Sequence, residues 1–238
     1  MHCLVWSSDM ELNFEELTRK YPFPEKRPRH HTAPHLYVPY SKLKVVPANY
    51  PVPVEKVDWA ELFANGKKPD MLDIGTGRGK FLLEMALLYP NKNILGIEIK
   101  QNCVQWLKQV IEGEKVRNAS VIWHNVLNGL QFIENESLES VFYLFPDPWP
   151  KARHSKRRAL NEEVLNEIAE KLKFGGRFYL ATDIKSLHEE HILLIENSKR
   201  YKIKFIESDL DWNLPKTNKE ISCINRSIEY YRMICEKL

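Results

Sequence analysis

The chain has 238 residues, a hydrophobic fraction of 43% and a formal net charge of +3. That supplies one full core, with room for an arm, but too little net charge to bind a polyanion globally, so any nucleic-acid surface must come from local clustering. No run approaches the roughly 18 apolar residues of a membrane span, no basic stretch leads into an apolar one at the N-terminus, and the four cysteines form no C-x-x-C pair. A cytoplasmic protein with no disulfide framework, metal site or membrane association is expected.

Residues 1–55 hold eight of the fourteen prolines and the segment Lys26-Arg27-Pro28-Arg29-His30-His31. Proline at this density predicts an extended arm with a short helix near Leu12–Lys20. Such an arm either straps onto the main domain, expected over residues 56–238, or lends its cations to RNA. His30, His31 and His35 have no cysteine or acidic partners nearby and are not expected to hold a metal.

From Asp70 onward strand and helix patterns alternate. Met71–Ile74 is an apolar run ending in glycines, and Lys80–Tyr89 reads as a helix. Asn93–Ile99 is a second buried strand, followed by a helical stretch from Gln101 to Glu112. Ser120–His124 and Ser140–Phe145 are strands three and four. Asn161 is a candidate N-cap, because Val164, Leu165, Ile168, Ala169 and Leu172 recur at helical spacing. Gly175-Gly176 is expected to end that helix before a fifth strand, Arg177–Thr182. Leu187–Ser198 is helical, and Tyr201–Glu207 and Ser227–Cys235 read as closing strands with no helix between them. The pattern predicts an α/β fold: a doubly wound, Rossmann-like sheet of seven mostly parallel strands with an antiparallel C-terminal edge hairpin.

Asp73-Ile74-Gly75-Thr76-Gly77-Arg78-Gly79 lies where the first strand enters the first helix. Glycines there allow a sharp turn and close approach of a ligand to backbone N–H groups. The spacing is G-x-G-x-G; a dinucleotide fingerprint would need glycine or alanine where Lys80 stands. Glu98 ends the second strand, where a carboxylate can accept bonds from both ribose hydroxyls. Asn125 follows the third strand and can read an adenine edge. Asp73 orients the glycine loop or meets the cofactor's amino group.

The densest segment is Phe145–Arg158, FPDPWPKARHSKRR. Pro146, Pro148 and Pro150 fix φ around Asp147 and Trp149, and Lys151, Arg153, His154, Lys156, Arg157 and Arg158 follow as candidate phosphate contacts. In a doubly wound sheet the fourth strand lies beside the first, and the crevice at that reversal binds ligands. Asp147 therefore belongs near the glycine loop, where it meets substrate or, in the plainer reading, makes an Asx-turn. Trp149 either stacks on a base or packs the corner.

The G-x-G-x-G loop resembles motif I of class I S-adenosylmethionine-dependent methyltransferases. FPDPWPK followed by R-H-x-K-R-R is similar to the signature of the tRNA (guanine-N7-)-methyltransferases, the TrmB family. The resemblance runs from about Val57 to the C-terminus and includes GIEI, Leu172–Gly176 and Ala181-Thr182-Asp183. It implies S-adenosyl-L-methionine as cofactor, tRNA as partner, and methylation of N7 of the variable-loop guanosine at position forty-six; a monomer or homodimer is expected rather than an obligate hetero-complex. It also implies cofactor contacts at Asp73, Gly75, Gly77, Glu98, Asn125 and Asp147, with Asp147 at the reacting centre. Substrate contacts fall on Lys151, Asp183 and a T-K-x-E block that appears here as Thr217-Asn218-Lys219-Glu220. Asn218 departs from the family's lysine, and Lys219 can supply that charge one position later. Two other readings stay open: an adenine-N6 methyltransferase, whose [N/D]-P-P-[F/Y] block is not matched by Asp147-Pro148-Trp149, and a noncatalytic RNA-binding module on the same fold.

Overall fold

The computed structural model describes residues 13–23, 34–149 and 157–238. In chain order the elements are α1 (Phe14–Lys20), α2 (Trp59–Leu62), β1 (Met71–Ile74), α3 (Lys80–Leu88), β2 (Ile94–Glu98), α4 (Gln101–Gly113), β3 (Ala119–Trp123) and β4 (Leu138–Leu144). There follow α5 (Glu162–Lys171), β5 (Leu172–Thr182), α6 (Lys185–Ser198), β6 (Tyr201–Ile206), α7 (Asp209–Trp212), α8 (Asn218–Asn225) and β7 (Tyr231–Lys237). The strands form one sheet in the order β3-β2-β1-β4-β5-β7-β6. All run parallel except β7, which is antiparallel to both β5 and β6.

Both faces of the sheet are covered. Leu72 and Ile74 of β1 pack with Val164 and Ile168 of α5 and Ile195 of α6, whereas Met71 packs with Phe81 and Leu82 of α3 and Val104 and Leu107 of α4. The side chains alternate between two buried faces, so β1 and β2 are buried at every position and carry apolar residues on both faces, with Asp73 and Glu98 as their buried acids. Asn161 caps α5 as expected, its side chain accepting the Val164 N–H at 3.0 Å.

Two expectations are corrected. The segment between β6 and β7 holds α7 and α8. They are short and begin at Ser208 and Thr217, whose side chains accept N–H groups of Asp211 and Glu220, so capping residues rather than apolar periodicity mark them. Gly175 and Gly176 do not end α5, which stops at Lys171. They lie within β5 at a break in register, where Leu138 pairs with Leu172 but Ser140 pairs with Arg177. The chain folds back so tightly there that a Cβ on Gly176 would lie 2.8 Å from the Lys173 carbonyl oxygen.

The described parts of the arm pack on the domain. Trp106 of α4 contacts the rings of Phe14 and Phe23 and donates its indole N–H to the Tyr21 carbonyl at 2.6 Å. Further on, the Tyr40 N–H donates to Asn128 Oδ1 at 2.7 Å, and the buried Tyr50 hydroxyl lies 2.7 Å from the Val38 carbonyl oxygen and 2.9 Å from Asn128 Oδ1. These bonds tie residues 38–50 to the short 3-10 turn Val126–Asn128 that follows β3. Lys26–His31 lie outside the described residues, and so do Lys151, Arg153, His154 and Lys156. Among the described residues no helix is long and apolar enough to cross a membrane.

Candidate functional site

Parallel strands bring their C-terminal ends to one edge of the sheet, and a cavity of about 200 Å³ opens there. It is lined by Gly75 and Gly77 after β1, Glu98 and Lys100 at the end of β2, Asn125 after β3, and Tyr143 and Asp147 at the end of β4. Leu36 and Tyr37 of the arm and Arg157 complete the wall. Gly75, Gly77, Glu98, Asn125 and Asp147, named from sequence, thus share one cavity.

Two glycines of the loop do different work. Gly77 has φ +57 and a Cβ there would meet nothing within 4 Å, so its missing side chain leaves cavity space open. Gly79 has φ +74, caps the N-terminus of α3 and does not line the cavity. A Cβ at Gly79 would lie 2.5 Å from the Leu107 methyl groups, so this glycine lets α3 pack on α4.

Glu98 is buried, and its two oxygens accept N–H bonds from Gly77 at 2.8 Å and Lys100 at 2.9 Å. Burial raises its pKa; the two backbone donors and the Lys100 charge oppose the rise, and the Asp147 charge adds to it. Asp73 lies under the same loop. Burial pushes its carboxyl up to about 7, with the neighbouring Thr76 side chain opposing the rise and the Glu98 charge contributing to it. Asp73, named from sequence as a cofactor contact, does not line the cavity, so Glu98 is the acid that this end of the cavity presents.

The Asp147 turn is strained at both ends. Phe145 and Trp149 have φ of +52 and +40, a region that costs bulky residues about 1–3 kcal/mol and persists only under outside restraint. Several restraints are visible. The Phe145 N–H donates to the Ala181 carbonyl of β5 at 2.7 Å. Trp149 is buried, with the Tyr37 ring edge-on at 4.7 Å and the Arg157 guanidinium 4.8 Å from its centroid. The tryptophan packs the corner and is not presented for base stacking. The Tyr37 hydroxyl donates to the Asp147 carboxylate, and burial together with that charge drives the phenol's pKa far up, so it stays a donor.

Several sequence expectations are redirected. The Asn125 amide is engaged by protein: its Nδ2 donates to the Leu36 carbonyl at 2.9 Å and to the Tyr50 hydroxyl at 3.0 Å, and its Oδ1 accepts the Leu127 N–H at 3.0 Å. With both amide protons spent, it holds the arm over the cavity instead of offering them to an adenine. Arg158 is 10% exposed; it donates from Nε to the Pro148 carbonyl at 3.0 Å and from Nη2 to the Trp149 carbonyl at 3.3 Å, and pairs with Glu190 of α6. Its donors face inward rather than toward a phosphate.

Asp183 follows β5, next to β4, and is not among the cavity-lining residues; its carboxylate lies 2.6 Å from Lys219 Nζ. The Thr217 side chain accepts the Glu220 N–H at 3.0 Å, so the T-x-x-E spacing is that of a helix cap. Glu220 is 1% exposed and lies 3.4 Å from Arg232 Nη1, which also reaches Asp209 at 2.8 Å. Glu220 therefore anchors α8 rather than facing a substrate, whereas Asn218 and Lys219 are exposed at its start. Sequence reading missed Tyr37 and Tyr50, whose signal was aromatic residues in an otherwise proline-rich arm. It also missed Glu190, one acid among many on a helix, for which no local signal exists.

A family model whose description is "Putative methyltransferase" matches residues 67–232. Among curated proteins, the tRNA (guanine-N(7)-)-methyltransferase of Thermosynechococcus vestitus is 34% identical over 200 residues, covering 79% of this chain and 87% of that protein. The protein of the same name from Lactobacillus gasseri is 30% identical over 189 residues, covering 79% and 85%. That from Francisella tularensis subsp. novicida is 40% identical over 148 residues, 62% of this chain, and the match spans 64% of the Francisella protein's length. Among solved structures, the 16S rRNA methyltransferase KamB superposes with a TM-score of 0.54 at 14% identity, covering 77% of this chain and 94% of that one. A SAM-dependent O-methyltransferase from Thermotoga maritima gives 0.51 at 15% identity, covering 72% and 60%. At such identities the likeness to these structures is one of fold.

Proposed function

This chain belongs to the tRNA (guanine-N7-)-methyltransferase family, and from that premise we propose that it methylates N7 of a tRNA guanosine, the one at position forty-six of the variable loop, in the cytoplasm. The observation that carries the reading is the convergence of the glycine turn, Glu98 and Asp147 on one cavity.

S-adenosylmethionine fits that cavity's chemistry. A carboxylate offers about four acceptor positions, and Glu98 spends two on backbone N–H groups, leaving lone pairs for the ribose hydroxyls. The open Cβ positions at Gly75 and Gly77 let a ligand approach the loop backbone. The carboxylates of Glu98 and Asp147 on the cavity wall suit a cationic group. When bound, the cofactor supplies an electrophilic methyl group on a sulfonium.

Guanine N7 carries a lone pair and no proton, so the protein needs no strong base. Its task is alignment, which is worth roughly 7–11 kcal/mol when reacting atoms are held about 3–3.5 Å apart. Asp147, set in a rigid turn and accepting the Tyr37 hydroxyl, faces the cavity where the purine becomes cationic. A fixed carboxylate there favours the developing charge. Asp183 reads the N1–H and N2–H edge of guanine, with Lys219 at the start of α8 holding that carboxylate. Lys219, not Asn218, supplies the cation of the T-N-K-E block. Arg157 and the basic residues before it hold tRNA phosphates.

The test is incubation of the protein with S-adenosylmethionine and bulk tRNA lacking 7-methylguanosine, followed by nucleoside mass spectrometry. Appearance of 7-methylguanosine supports the reading, and its absence refutes it. In Asp147→Ala, kcat should fall by at least about 100-fold with cofactor affinity little changed; near-normal turnover would remove Asp147 from the centre.

A further inference from the structure

Arg158 stands at the end of the basic run, yet its guanidinium does not behave as a phosphate grip. It is 10% exposed and divides its donors between two carbonyls of one turn and one carboxylate of another element. The carbonyls belong to Pro148 and Trp149, immediately after Asp147. The carboxylate belongs to Glu190, on the helix whose first residue comes two positions after Asp183. One side chain thus joins the segment carrying Asp147 to the element that begins behind Asp183.

We propose that Arg158, braced by Glu190, is a positioning residue: it locks the Asp147 turn to α6 and so fixes the placement of Asp147 relative to Asp183. The inference rests on the functional reading above. It deepens that reading by separating the basic run into one structural strut, Arg158, and one cavity-facing cation, Arg157. A planar fork can reach three acceptors at once, and a lysine ammonium on a flexible stem cannot reproduce that set. The left-handed backbone at Trp149 needs such a restraint, and the two carbonyl bonds of Arg158 supply one. Loss of the strut should misplace Asp147 without removing any group that touches tRNA. A displacement near 1 Å costs on the order of 100-fold in rate.

The test compares wild type, Arg158→Gln, Arg158→Lys and Glu190→Gln. Three quantities are read: the single-turnover rate of methyl transfer, tRNA affinity as a function of salt, and amide hydrogen exchange over residues 145–149. Positioning predicts a rate roughly 10- to 100-fold lower in Arg158→Gln with tRNA affinity and its salt slope unchanged. Arg158→Lys should be nearly as slow despite keeping the charge. Glu190→Gln should be slower than wild type at wild-type tRNA affinity, and exchange in the Asp147 turn should accelerate in all three variants. A phosphate contact predicts the reverse: weaker tRNA binding with a salt slope smaller by about one, rescue by lysine, and a normal Glu190→Gln enzyme; that result overturns the proposal. Should Arg158→Gln not fold, Glu190→Gln decides alone, since its carboxylate is partly exposed and the change is isosteric. If wild type itself methylates no tRNA, the functional reading fails. The exchange data still decide the strut, which unchanged protection in Glu190→Gln would refute.

Discussion

The loop after β1 offers a sharp separation between stability and binding, because two of its glycines answer to different neighbours. In Gly77→Ala, the left-handed backbone costs about 1–2 kcal/mol, partly offset by about 0.4–1 kcal/mol from a stiffer unfolded chain. The new methyl meets no protein atom within 4 Å and projects into cavity space. Net destabilisation is about 1 kcal/mol, a fall in Tm of roughly 2–4 °C for a domain of this size. Binding suffers instead: crowding of about 1–3 kcal/mol weakens the cofactor by roughly 10- to 100-fold. Gly79→Ala carries the same backbone cost but drives its methyl to 2.5 Å from Leu107 in the α3–α4 contact. There about 1–3 kcal/mol of overpacking adds to the net backbone cost. Tm should drop by roughly 4–16 °C, with cofactor affinity of the folded protein little changed. Calorimetric melts and titration with S-adenosylhomocysteine measure both quantities. A Gly79→Ala protein that melts normally but binds poorly, or a Gly77→Ala protein that melts early yet binds well, would show that the two roles have been misassigned.

Tyr50→Phe removes the hydroxyl shared by Asn125, Asn128 and Val38. Leaving the buried Asn125 N–H unpaired costs about 1–3 kcal/mol, so Tm should fall and limited proteolysis within residues 34–50 should speed up; unchanged cleavage counts against arm docking through this tyrosine. Asp73 gives a pH signature. Its folded pKa, about 7, lies above the ordinary 3.8, so the unfolded chain releases this proton first and the contribution to stability falls as pH rises through that window. Asp73→Asn abolishes that fall, so the Tm difference, variant minus wild type, should become more positive from about pH 4 to about pH 7. A difference independent of pH would mean Asp73 ionises normally in the fold.

What could be read in the sequence follows from how each feature is encoded. The strands β1 to β4 are buried on both faces and bounded by glycine, proline or polar residues, so composition alone marks them. Gly77, Glu98 and Asp147 sit at strand ends, and topology then requires them to meet. Side-chain orientation is not encoded so locally. Arg158 follows a run of cations and differs from Arg157 in nothing a sequence displays, yet one turns inward to carbonyls and the other lies over Trp149. Asn125 is placed correctly beside the cavity, but its partner Leu36 is far upstream and the bond is to a backbone oxygen. The T-x-x-E block was legible in principle. Its spacing is that of a capping box, and the Thr217 side chain does accept the Glu220 N–H at the start of α8.

The antiparallel placement of β7 has a consequence for how the protein is made. β7 is last in chain order but lies between β5 and β6, pairing with both. A nascent chain that has completed β6 holds its cofactor half in finished form, while the facing edges of β5 and β6 stay unpaired. Open strand edges of this kind invite association with other chains. Closure therefore waits for Tyr231–Lys237, and a message truncated just before them yields a protein with its loop, its acids and its arm, but with a slot in the sheet that quality-control machinery can recognise.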